Sequence, residues 1–81
     1  MNIYRVPYYS NSGGGLQSLL VEAMTRDEAG DLATHHEYFE QSAGVASPIS
    51  EREYRDLDTA DLRNIHERTE RLRAKMKAEA E

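Results

Sequence analysis

Two adjacent histidines, His35-His36, with Glu40 shortly after, are the first residues whose types and spacing suggest chemistry. On a helix, His36 and Glu40 stand one turn apart, a spacing that suits a shared metal ion. His35 then points to the polar side and His36 to the apolar side, and His66 is alone on a later segment. No metal or cofactor is assigned, and His36 reads as a partly buried ring. Gly13-Gly14-Gly15 lacks both the Lys-Ser/Thr pair of a P-loop and the spacing of a dinucleotide fingerprint, so it reads as a turn. No nucleophile elbow accompanies the serines. With fifteen Asp and Glu, no carboxylate pair stands out as catalytic. So short a chain also leaves little room for a closed, dry pocket. The protein is read as not an enzyme.

Charge and tyrosine content point to binding instead. The net charge is −5. It sits mostly in the first fifty residues, where Arg5 and Arg26 face Glu22, Asp27, Glu28, Asp31, Glu37 and Glu40. Such a half does not track a phosphate backbone, and it suits a basic surface on a partner. Five tyrosines stand against one Phe and no Trp, and tyrosine is enriched at interfaces. Tyr8, Tyr9, Tyr38 and Tyr54 are the candidates, with Tyr38 set among acids. Arg68, Arg71 and Lys75 form one stripe near the C-terminus, diluted by Glu67 and Glu70. This reads as a solvated face with Glu67–Arg71 and Glu70–Arg73 pairs, and direct nucleic-acid contact is not expected. A helix-turn-helix from the last two helices would approach phosphates with Asp58 and Asp61.

The elements that must position these residues begin with Ile3–Ser10, rich in β-formers. Alternation puts Tyr4, Val6 and Tyr8 on one face and Ile3, Arg5 and Tyr9 on the other. Pro7 donates no ladder hydrogen bond, which places it on an edge or at a bulge. Leu16–Met24 fits both a helical spacing and a strand. The helix start at Thr25, immediately after it, favours the strand. Thr25 with Glu28 and Ser50 with Glu53 match capping boxes, and Asp58 with Asp61 forms a third helix start. The first helix is expected over 25–41, with Ala29, Leu32, Ala33, His36 and Phe39 on its inner side. Gly30, costly in a helix, suggests close packing. Gly44 suits a C-cap, and a short extended piece is expected around Val45. A short helix over 50–57 and a long one over 58–77 follow, with 78–81 frayed. In the long helix Leu62, Ile65, Thr69, Leu72 and Met76 form a narrow seam with one polar interruption.

The expectation is therefore a single α+β domain over 1–81. An N-terminal two-stranded antiparallel hairpin (3–24) is packed by one helix, followed by a short and a long C-terminal helix. No stretch is apolar enough to span a bilayer. No signal peptide opens the chain and no cysteine is present, which points to a cytoplasmic protein without a membrane partner.

The opening Ile3-Tyr4-Arg5-Val6-Pro7-Tyr8-Tyr9-Ser10-Asn11, the glycines, a strand and then Thr25-Arg26-Asp27-Glu28-Ala29 resemble small phage and mobile-element proteins. The likeness runs to about Glu40. That setting includes anti-CRISPR proteins and other inhibitors of bacterial defence, which occupy a nucleic-acid-binding or partner-binding surface of their target. The resemblance implies action in the host-cell cytoplasm on a partner such as a CRISPR effector subunit. The first expectation is thus an acidic, nucleic-acid-mimicking face of Asp27, Glu28, Asp31, Glu37, Tyr38 and Glu40 that blocks a basic surface. The second is a dimeric regulator or assembly module joined through Leu62, Ile65, Leu72 and Met76. A third is a small nucleic-acid-binding protein.

Overall fold

The structure, a computed structural model, describes residues 2–80. Strands β1 (Asn2–Ser10) and β2 (Gly15–Ala23) form an antiparallel hairpin, so the Leu16–Met24 region is extended rather than helical. Gly13 and Gly15 take φ of 84° and 69° at its turn, values that L side chains rarely adopt. Tyr4 opposes Val21 and Val6 opposes Leu19. These four, with Tyr8 and Ala23, point to one face, and all are buried.

Helix α1 (Arg26–Ala33) covers that face with Ala29, Leu32 and Ala33, none of which retains exposed surface. The Thr25 hydroxyl accepts from the Glu28 N–H at 3.1 Å, and the Glu28 carboxylate accepts from the Met24 N–H at 3.3 Å. The expected extension to Gln41 does not occur. Thr34 closes the helix, its hydroxyl donating to the Asp31 carbonyl at 2.6 Å. A short turn follows, and Phe39–Ser42 becomes strand β3, paired antiparallel with the end of β1. The physical reason is that β1 has a second open side. Tyr38 and Phe39 are β-formers, and Phe39 reaches the core from a strand by stacking on Tyr8 at 5.9 Å.

Strand β4 (Ser47–Pro48) pairs with Tyr4 and Arg5 on the same side as β3. The extended segments therefore flank Val45, which is itself exposed. The path β2-β1-β3 makes β1 central, so Pro7 is not on an edge strand. The Ile3 and Pro7 carbonyls accept from the Ile49 and Ala43 N–H groups. N–H and C=O of one strand residue point the same way, so the donor Pro7 lacks would face the gap between β3 and β4, where the sheet tolerates its loss.

Gly30 has nothing within 4 Å of where a Cβ would stand, so it marks no close packing. Gly44 is not a helix C-cap; it lies against Pro7, whose Cγ would be 3.2 Å from an added Cβ. Gly30→Ala is expected to stabilise the protein by about 0.5–1 kcal/mol, since alanine is the better helix former and meets no neighbour. A lower urea midpoint for Gly30→Ala than for the parent would contradict this.

Helix α2 (Glu51–Asp56) is capped by the Ser50 hydroxyl, which accepts from the Glu53 N–H at 3.1 Å. The Glu53 carboxylate does not complete a box. It turns to Arg5 in a two-pronged ion pair that holds the carboxyl below its usual range. Helix α3 (Thr59–Ala80) starts on a reciprocal pair. Asp58 accepts from the Asp61 N–H at 2.8 Å, and Asp61 accepts from the Asp58 N–H at 3.2 Å. The fraying expected over 78–81 is not seen up to Ala80, and its last residue, Glu81, lies outside the described residues.

The seam expected as a dimer interface is turned onto the chain's own β2 and α1. Ile65 and Leu72 are buried and Leu62 and Met76 half-buried, so these four do not present a free surface to a second copy. The polar interruption, Thr69, has a structural task. Even-numbered residues of edge strand β2 point their backbone outward, and α3 meets them there. The Thr69 hydroxyl accepts from the Glu22 N–H at 3.0 Å. Arg68 donates to the Leu20 carbonyl at 3.3 Å and Arg73 to the Glu22 carbonyl at 3.1 Å. Unpaired edge groups invite association, and α3 covers these with its own side chains.

Candidate functional site

The early end of α1 disperses the expected acidic face. Asp27 and Asp31 remain one turn apart on its outer side, exposed and without an ion-pair partner among the described residues. Glu28 is not available as expected: the Arg73 guanidinium donates to its carboxylate at 2.8 Å. Glu37 lies in the turn, on the wall of a cationic groove. Tyr38, also in the turn, keeps 46% of its surface exposed. Glu40 is exposed on β3, where a charge discourages strand addition. Of the expected acids, Glu28 alone is paired; Asp27 and Asp31 on α1, Glu37 in the turn and Glu40 on β3 stay exposed without an ion-pair partner among the described residues, and Tyr38 is exposed with them.

The tyrosines of β1 divide by strand register, and Tyr54 lies on α2. Tyr8 is buried with Tyr4, whereas Tyr9 and Tyr54 are about half exposed. His36 packs edge-on to Tyr8 and to Tyr38, with ring centroids 5.7 Å apart in each case. Its expected one-turn spacing from Glu40 is lost with the helix. Among the described residues no three His, Asp or Glu side chains gather to hold a metal ion.

The groove is the feature that sequence spacing missed. It measures about 310 Å³ and is lined by His35, His36 and Glu37 from the turn and by Arg68, Arg71, Leu72 and Lys75 from α3. The three basic residues lie three and four apart, on one stripe of the helix. Neither expected pair forms. Arg71 has no ion-pair partner among the described residues, and Arg73 serves Glu28 instead of Glu70. Burial lowers the His36 pKa, the nearby Arg68 and Lys75 lower it further, and Glu37 opposes them. His35 Nδ1 meets the Glu79 carboxylate at 2.5 Å without the alignment of a hydrogen bond. The stripe itself was visible in the sequence. The facing wall depends on where α1 stops, and no residue spacing announces that. No helix among the described residues is long and apolar enough to cross a membrane. No protein-family model, curated protein or solved structure matches the chain.

Proposed function

We propose that the protein is a non-enzymatic inhibitor or interaction protein that presents Asp27, Asp31 and Tyr38 to a basic surface of a partner protein. The partner's surface is one that handles nucleic acid, and a CRISPR effector subunit is the type suggested by the resemblance of the first forty residues. The site of action is then the host-cell cytoplasm. One observation carries the reading: α1 is fully buried along Ala29, Leu32 and Ala33, while Asp27 and Asp31 on its other side form no ion pair among the described residues. The neighbouring Glu28, by contrast, is neutralised by Arg73. Unpaired carboxylates steer a cationic partner, and an exposed tyrosine such as Tyr38 adds contact area.

The test is capture from host lysate by the full chain and by Asp27→Lys/Asp31→Lys, with identification of what is captured. Charge reversal is expected to weaken capture of a basic nucleic-acid-binding protein by about tenfold or more, with an unchanged circular dichroism spectrum. Glu67→Lys/Glu70→Lys on α3 is the control and should retain capture. Equal capture by parent and Asp27→Lys/Asp31→Lys, or equal loss in the control, would overturn the reading.

A further inference from the structure

We propose that the groove between the His35–Glu37 turn and α3 binds a small phosphomonoester, its phosphate held by Arg68, Arg71 and Lys75 beside the His36 ring. This goes beyond the acidic contact face, on which it does not depend. The groove is concave and its volume, about 310 Å³, suits a small ligand. His36, partly exposed, adds an aromatic edge on which a ring attached to the phosphate can rest, and the buried Leu72 closes the floor of the groove.

Charge selects the class. The lining sets three permanent cations against one carboxylate, Glu37, in a protein whose overall charge is −5. Three cations against one carboxylate leave a local excess of two positive charges, which matches a phosphomonoester dianion. Arginine adds a planar fork fitted to phosphate oxygens, and Lys75 a point charge. Arg68 is already anchored through the Leu20 carbonyl, so part of its ordering is complete before a ligand arrives. A long polyanion fits less well. Glu67 and Glu70 are exposed on α3 near these cations, and Glu79 stands against His35, so acids interrupt any extended path.

The groups facing His36 are Tyr8 of β1, Glu37 and Tyr38 of the turn, and Arg68 and Lys75 of α3. The two cations disfavour its protonated form, and a bound dianion between them reverses that balance. His36 is therefore a reporter inside the proposed site.

The experiment titrates the isotope-labelled full chain, at constant ionic strength, with inorganic phosphate, phenyl phosphate and a short single-stranded DNA lacking a terminal phosphate. Inorganic phosphate and phenyl phosphate are expected to give saturable shifts of the His36 ring and of the Arg71 and Lys75 side chains. Phenyl phosphate should bind more tightly, and the His36 titration midpoint should rise on binding. Arg71→Gln/Lys75→Gln, changes at two exposed positions, should weaken binding about tenfold and leave the fold unaltered. Three results would overturn the proposal: shifts that chloride reproduces, binding indifferent to Arg71→Gln/Lys75→Gln, or DNA binding more tightly than either phosphate with a steep salt dependence.

Discussion

Leu32→Ala is expected to destabilise the protein by about 2–5 kcal/mol, the largest single effect of any substitution considered. Leu32 has no exposed surface and belongs to the cluster formed by β1, β2, α1 and α3. Its neighbours come from different elements, so they cannot collapse into the vacated space together. A domain of this size is stable by only about 4–12 kcal/mol, so the loss removes a large share of what holds it folded. The control is Leu16→Ala in β2: Leu16 is 63% exposed, and its truncation should change stability by less than about 0.5 kcal/mol. Urea unfolding of the two variants checks the contrast. Equal losses would mean that α1 does not pack on the hairpin as described.

Thr69→Val is expected to cost about 1–3 kcal/mol although it preserves the shape of the side chain. Thr69 is 1% exposed, and its hydroxyl donates to the Ile65 carbonyl at 2.8 Å while accepting from the Glu22 N–H. Valine fills the space and leaves that N–H without its acceptor at the covered edge of β2. Thr69→Ser keeps the hydroxyl and should cost less than Thr69→Val. Amide exchange at Glu22 should quicken in Thr69→Val and stay slow in Thr69→Ser. If Thr69→Val matches the parent in stability, the Thr69–Glu22 hydrogen bond does not help to hold α3 on β2.

These two residues also mark where sequence reading succeeds and where it stops. Leu32 was placed on the inner side of α1 by helical spacing, and the alternation of β1 grouped Tyr4, Val6 and Tyr8 on one face, though not which face is inward, so that Tyr8 read as an interface residue and is in fact buried. The hairpin, the three caps and the two C-terminal helices were legible because each rests on contacts within a few residues. Thr69 looked like an imperfection in an apolar seam, since its partner is 47 residues away. Phe39 was misplaced for a related reason. Its helical spacing from Leu32 and His36 was real, but the open side of β1 competes for the same residues and wins. That one change moves Tyr38 and Glu40 off the helix and splits the acidic set. It also sets the His35–Glu37 turn opposite Arg68, Arg71 and Lys75. Arg73 was legible as a surface cation, but its pairing with Glu28, 45 residues away, depends on the packing of α3 against α1.

The most direct measurement of the central claim, that the outer side of α1 meets a cationic partner, is an NMR titration of the labelled protein with a lysine- and arginine-rich peptide at physiological salt. The account predicts saturable shifts confined to the amides of Asp27 and Asp31 and to Tyr38, and their loss in Asp27→Lys/Asp31→Lys. Shifts centred on Glu67 and Glu70, or none that saturate, would contradict it.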